Sequence, residues 1–369
     1  MVQSKQKTIL FCPLHWGWGH MTRDLPLIKA FYDNGHHVIV AASPTLLEWL
    51  NTELPQIETT LFKGPEIRYS KKGFAISKFF LQLPNFVGWL SKEKKRTFEL
   101  TAKFHPDLIV SDNRYGARHP KVFSAIITHQ LMIKLPFFLK WLEYPLHLFI
   151  KWLIGKFDEC WIPDFSKKNS LAGDLVHKYS LPSNAKLIGP LSRFDQDNEQ
   201  KKIRSATRYS VLGIISGPEP QRTILEKKLK IILQNIKGQA TIISGKIDRK
   251  AEKKSPQPSI RFYGHLPSFE MLSLIDNHQY IIARPGYSTL MDMYFLNKQL
   301  IMVPTPGQTE QEYLAEYNAK RGYIKIPQAE LQNFFVKFPP QLRYPPQNNN
   351  GNENFRSVLK DFFSPKETD

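Results

Sequence analysis

KTILFCPLHWGWGHMTRDLPLIKAF (residues 7–31) sets a continuously apolar run against a glycine turn, and the turn against a helical pattern. A short apolar run bounded by turn residues is the signature of a strand buried on both faces of a parallel sheet. "HWGWGH" is then the strand-to-helix loop, where Gly17 and Gly19 allow positive φ and close approach of a ligand to the backbone. His20 stands at the mouth of the helix with an imidazole that takes a proton near neutral pH. An ordinary turn with a capping or packed histidine uses the same residues, so the rest of the chain decides between the two.

The unit repeats. "HVIVAAS" (37–43), "TTLFKG" (59–64), "DLIVSD" (107–112), "SAIITHQ" (124–130), "ECWIPD" (159–164) and "KLIGPL" (186–191) read as further strands, with helical segments between several of them. That alternation predicts an α/β doubly wound sheet. "SRFDQDNEQKKIRSATR" (192–208) is polar, charged and without periodicity, and reads as a linker. The pattern restarts with "YSVLGIIS" (209–216), "ATIISG" (240–245), "IRFYGH" (260–265), "YIIARPG" (280–286) and "QLIMVPTP" (299–306). Two Rossmann-like doubly wound domains facing a cleft are expected, over residues 1–191 and 209–345. A tail at 346–369 carries a last helix that packs back on the first domain.

A length of 369 residues accommodates both cores, and 41% apolar residues exclude wholesale disorder. Cys12 and Cys160 fit no ligand spacing and are expected reduced and buried, which favours a cytoplasmic compartment. The N-terminus lacks the pattern of a signal peptide. The net charge of +18 calls for anionic partners. No RNA- or DNA-binding module signature is present, so nucleic acid ranks below phosphorylated metabolites and an anionic membrane surface.

Ligands of open α/β sheets bind beyond the carboxyl ends of the strands. A second such loop, "GIISGPEPQRTILEKKLKIIL" (213–233), ends a strand at Ser216-Gly217 and opens a helix whose N-terminus suits a diphosphate, with Arg222 as a charged clamp. A third, "ARPGYSTLMDMYFLNKQLIMVPTPGQTEQEYLAEY" (283–317), closes a strand at Arg284 and Gly286. It offers the hydroxyls of Ser288 and Thr289, and places Asp292 one turn later on the face of Ser288. A carboxylate there suits a ribose diol. Gln308, Glu310 and Gln311 follow, suited to sugar hydroxyls.

Arg-x-Gly-x-x-Thr-x-x-acid, then an apolar strand ending in proline, then a glutamine-containing loop, resembles the donor-binding half of GT-B glycosyltransferases, the MurG-like family 28 group in particular. The opening Gly-x-Gly-His loop and the Ser216-Gly217 loop fit that group in the same order, over residues 7 to 320. The resemblance implies His20 as catalytic base or acceptor-site residue and Ser216, Gly217, Ser288 and Thr289 around the diphosphate. It implies Asp292 on the ribose, where the family usually has glutamate, and Gln308 and Gln311 on the donor sugar. Backbone around His265 and Leu266 would hold the nucleobase, and His129 and Gln130 would line the acceptor loop with Gly17, Gly19 and Asp112. Asp112 and His129 are also the alternatives to His20 for the proton.

"DQD" (195–197) has Asp-x-Asp spacing but falls in the linker, so neither a metal nor a cofactor is expected. In "LPFFLKWLEYPLHLFIKWLIGKF" (135–157), Lys140, Glu143, His147 and Lys151 fall on one helical face and Phe138, Leu142, Leu146, Phe149 and Leu153 on another. Pro145 kinks or splits the helix. This is an interfacial pattern, and "SKFFLQLPNFVGWLSKEKKR" (77–96) has a similar mix of aromatic and basic residues.

The expectation is an inverting, metal-independent transferase using a nucleotide-sugar, a UDP-sugar such as UDP-GlcNAc, as co-substrate. Its acceptor would be a lipid-linked or cell-envelope glycan, reached from the inner face of the cytoplasmic membrane. A sugar-nucleotide epimerase of the same fold and a non-catalytic nucleotide-sugar or lipid-binding protein are the alternatives.

Overall fold

The computed structural model describes residues 6–15, 17–64, 83–194, 207–217, 219–236, 238–245, 253–254 and 260–336. The chain divides into two units, one running to Leu191 and the other starting at Ser192. Most of the expected linker, including 195–197, and the whole tail at 346–369 lie outside the described residues.

In the first unit the strands are β1 (Thr8–Pro13), β2 (His37–Ala42), β3 (Glu58–Leu61), β4 (Leu108–Asp112), β5 (Phe123–Ile127), β6 (Glu159–Ile162) and β7 (Ala185–Leu187). They form one sheet in the order β3-β2-β1-β4-β5-β6-β7, and every pairing is parallel. The helices are α1 (Gly19–Asp33), α2 (Pro44–Glu53), α3 (Leu83–Phe104), α4 (Glu143–Ile154) and the one-turn α5 (Asp174–His177).

The continuous apolar runs have a plain cause, since successive side chains point to opposite faces and both faces are covered. Ile9 and Phe11 pack with Met21, Ile28 and Phe31 of α1. Leu10 and Cys12 pack on the other face with Leu100 of α3. Cys12 and Cys160 are free thiols and buried.

The second unit repeats the plan with β8 (Thr207–Ile214), β9 (Ala240–Ile243), β10 (Lys253–Lys254), β11 (Ile260–Tyr263), β12 (His278–Ala283), β13 (Leu300–Met302) and β14 (Ile324–Lys325). Their order is β10-β11-β9-β8-β12-β13-β14. Only β10 pairs antiparallel, at the edge on β11. Its helices are α6 (Gln221–Leu233), α7 (Ser268–Asn277), α8 (Tyr287–Phe295), α9 (Thr309–Ala319) and α10 (Leu331–Val336). Leu225 and Leu229 of α6 close the core against Val211 and Ile242. Both sheets are Rossmann-like, and the two-domain architecture is that of the GT-B fold.

Candidate functional site

Each sheet has one place where the strand order reverses, and there the loops diverge to leave a crevice. In the first domain it lies between β1 and β4, whose last residues, Pro13 and Asp112, are register partners. Gly17 takes φ +104°, which glycine adopts at little cost. Gly19 does not share that conformation; it opens α1 in helical geometry, so the expected pair of left-handed glycines is a single one.

His20, Arg23 and Asp24 follow at i, i+3 and i+4, on one face of the helix. His20 Nδ1 lies 2.9 Å from Asp112 Oδ1 and 3.0 Å from Arg23 Nη2. Arg23 grips Asp112 with both Nε, at 2.7 Å, and Nη2. Its Nη1 lies 2.8 Å from His129 Nδ1. Asp112 and Arg23 are buried, as is His129 in the loop after β5.

Burial alone would raise the Asp112 pKa, but Arg23 and His20 outweigh it and hold the carboxyl well below the usual range. Nδ1 thus faces both a carboxylate and a guanidinium, and Nε2 has no hydrogen-bond partner among the described residues. Gln130 sits one residue beyond His129, its backbone N–H donating to Thr128 Oγ1.

In the second domain the reversal falls between β8 and β12, where Ile214 and Ala283 are register partners. Ser216 and Gly217 follow β8, with Gly217 at φ +101°. The N-terminus of α6, expected to take an anion, already holds one from its own chain. The Glu219 carboxylate accepts from the Thr223 N–H at 3.2 Å and from the Thr223 hydroxyl at 3.0 Å. Arg222 is not a free clamp: it is bound to Glu219, Glu226 and the Ser244 carbonyl. Against the opposing effect of partial burial, the bonds from Arg222 and Thr223 lower the Glu219 pKa.

The N-terminus of α8 differs. Gly286 is its N-cap, no side chain caps it and its first turn holds no acid. Ser288 and Thr289 lie in that turn, half-buried. Neither hydroxyl is bonded to another described residue.

Three residues expected at the ligand have partners within the domain. Arg284 is buried, donating to the carbonyls of Val303, Pro304 and Gln221 and to Gln328 Oε1, so it ties loops together. Asp292 faces the start of the domain: the Ser192 hydroxyl donates to its Oδ1 at 2.7 Å and Arg193 Nε lies 3.7 Å from its Oδ2. Burial pushes it up to about 6, opposed by Arg193 and Ser192. Gln311 Oε1 accepts from the Thr305 N–H at 2.9 Å and shapes that loop. Gln308 is the N-cap residue of α9. Leu266 is buried, while burial and then Arg193 lower His265 to about 4.

The segment at 135–157 splits as its proline requires, into a 3₁₀ turn (Phe137–Leu142) and α4. Its faces part as the periodicity groups them, except that Leu153 turns inward. Glu143 and His147 point inward, Glu143 accepting from the Leu135 N–H and Lys178, and His147 Nδ1 bonding the Leu131 carbonyl at 2.8 Å. Leu153 is buried as well. The exposed face is aromatic: Phe137 is 85% exposed, Phe138 73%, Trp141 70% and Trp152 57%, with Tyr144 and Phe149 beside them. Lys140 Nζ sits 5.4 Å from the Phe137 ring and Lys156 Nζ 4.6 Å from Trp152. No helix among the described residues is long and apolar enough to cross a membrane. Of the run at 77–96, residues 77–82 lie outside the described residues and the remainder belongs to α3.

Residues 220–335 match the glycosyltransferase family 28 C-terminal domain. No curated protein sequence matches the chain. Among solved structures, the glycotransferase of kitacinnamycin is similar, with a TM-score of 0.62 and 13% identity over 97% of this chain and 95% of that one. Arabidopsis thaliana UGT89C1 complexed with UDP-L-rhamnose gives 0.58 and 12% over 96% and 94%. The spinosyn rhamnosyltransferase SpnG complexed with thymidine diphosphate gives 0.56 and 12% over 97% and 93%. The fold is thus that of GT-B glycosyltransferases, and the second domain, matching the family 28 model, supports a glycosyltransferase.

Proposed function

We propose that the protein moves a sugar from a nucleotide-sugar, a UDP-sugar such as UDP-GlcNAc, to a lipid-linked or cell-envelope glycan acceptor, with inversion and without a metal. The observation that carries the donor side is the contrast between two helix N-termini. Glu219 accepts from the Thr223 N–H in the first turn of α6, whereas α8 starts at an N-cap glycine with the Ser288 and Thr289 hydroxyls in its first turn, a seat for a diphosphate. Similar structures complexed with UDP-L-rhamnose and thymidine diphosphate support a nucleoside diphosphate donor.

On the acceptor side, Asp112 orients His20 so that Nε2 takes the proton of the acceptor hydroxyl. The oxygen attacks the anomeric carbon opposite the diphosphate. The leaving charge is taken up by the α8 N–H groups with Ser288 and Thr289. A lipid-linked acceptor is favoured by the aromatic face at 137–152 and its lysines, which suit an anionic bilayer.

The test measures binding by calorimetry and transfer by release of nucleoside diphosphate. Ser288→Ala with Thr289→Val should weaken UDP binding about 10-fold or more, whereas Glu219→Gln should not. His20→Asn should lower transfer by about 10² to 10⁴ with donor affinity kept. UDP binding indifferent to Ser288 and Thr289 would sink the donor assignment. UDP-GlcNAc isomerised without acceptor would replace the transferase by an epimerase.

A further inference from the structure

Asp24 has no role in the mechanism above, yet its environment is the least ordinary in the first domain. It lies on α1 one turn beyond His20 and is fully buried. No donor of the described residues reaches either carboxylate oxygen. Its neighbour is another carboxylate, that of Asp112. The Arg23 charge opposes the effect of burial on Asp24, but its Nε and Nη2 are directed to Asp112 and its Nη1 to His129. The remaining titratable group facing Asp24 is the Cys12 thiol of β1, which burial pushes up to about 12 and so keeps uncharged.

Two carboxylates in contact in a dry site cannot both ionise. Asp112 is the member stabilised as an anion, by Arg23 and His20. We infer that Asp24 is a positioning residue for the His20–Asp112 pair, a carboxylic acid that keeps its proton at neutral pH and donates it to the Asp112 carboxylate. Burial first, and then the Asp112 charge, push Asp24 well above the ordinary carboxylate range, in the same direction.

Counting charges shows what the proton is for. With Asp24 neutral, the charges of Arg23 and Asp112 cancel beside His20. With Asp24 ionised, an uncompensated negative charge would stand beside the group that has to take the acceptor proton. The Asp24 hydroxyl also occupies a lone pair of Asp112 that would otherwise be left without a donor, and so fixes the carboxylate plane that faces Nδ1. This inference rests on the reading of His20 as the base.

Infrared spectra of the full-length protein with carboxyl-labelled aspartate, recorded at about pH 8 where ordinary carboxyls are ionised, test the proton directly. A protonated-carboxyl band should be present in wild type and absent from Asp24→Asn. Its presence in both, or absence from both, overturns the proposal. The positioning role is read by transfer: Asp24→Asn, which still donates to Asp112, should run at least about tenfold faster than Asp24→Leu, which cannot. The acid limb of the pH–rate profile should stay in place for Asn. A limb displaced to lower pH in Asp24→Asn would mean that wild-type Asp24 is ionised, and equal rates for Asn and Leu would remove the positioning role. Should the Leu variant not fold, the spectra and the Asn profile decide alone. Retained transfer in His20→Asn with the Asp24 band present would instead overturn the base assignment and leave the proton where it is.

Discussion

Asp292 shows how far a single residue can be read from its neighbours in sequence. Its place one turn beyond Ser288 is as expected, but its carboxylate is taken by Ser192 and Arg193, a hundred residues earlier in the chain. No local pattern announces a partner so distant. His20 and Asp112, by contrast, were legible because one opens the helix after β1 and the other closes β4. Arg23 and Asp24 were missed although i, i+3 and i+4 from His20 was the available signal. The structure gives Asp292 a pH consequence. Its folded pKa of about 6 exceeds the ordinary 3.8. A carboxyl with a raised folded pKa adds stability below the unfolded value, and that stability is lost as pH rises through the folded one. At about 1.4 kcal/mol per pKa unit the loss approaches 3 kcal/mol between roughly pH 4 and 6. Urea unfolding followed by circular dichroism should show wild type losing stability across that window and Asp292→Asn losing far less. Parallel pH profiles would mean that Asp292 titrates normally.

At the scale of elements, strands and the aromatic face of 135–157 were legible, while the burial of Glu143 and His147 was not. The period of 135–157 groups Glu143 with His147, but periodicity cannot say which face meets the domain. The polar pair goes inward because the 131–135 segment presents a free carbonyl and N–H that need partners, and satisfying them turns the aromatic rings outward. Buried rings in that position would have made α4 ordinary core. Exposed as they are, Phe137, Trp141 and Trp152 should each contribute about 1.5–3 kcal/mol when buried in a bilayer. Changing the three to serine should abolish cosedimentation with anionic vesicles and leave the unfolding midpoint almost unmoved, since these side chains are already in water. For wild type, salt should weaken binding without abolishing it, because screening reaches Lys140 and Lys156 but not the rings. A triple variant that pellets as well as wild type would return the segment to a role within the protein.

At the scale of the whole molecule, the repeated βα alternation made both sheets legible. The two-residue strands β10 and β14 were not, being too short to carry a period and held only by their neighbours β11 and β13. Each sheet has its own core, and the tryptophans are distributed unevenly: all seven lie before residue 192. Tryptophan fluorescence therefore follows the first domain, whereas circular dichroism follows both. A nucleotide that binds only the folded second domain stabilises that domain by RT ln(1 + [L]/Kd), about 2.7 kcal/mol at a hundredfold excess over Kd. With UDP at that concentration, the dichroism transition should gain a component at higher temperature while the tryptophan midpoint stays where it was. The separation is the outcome expected if the nucleotide is held by the proposed seat at the α8 N-terminus. Equal shifts of both signals would mean that nucleotide contacts reach the first domain, or that the two cores unfold as one, and the same titration in Ser288→Ala with Thr289→Val would tell these apart by whether both shifts vanish together.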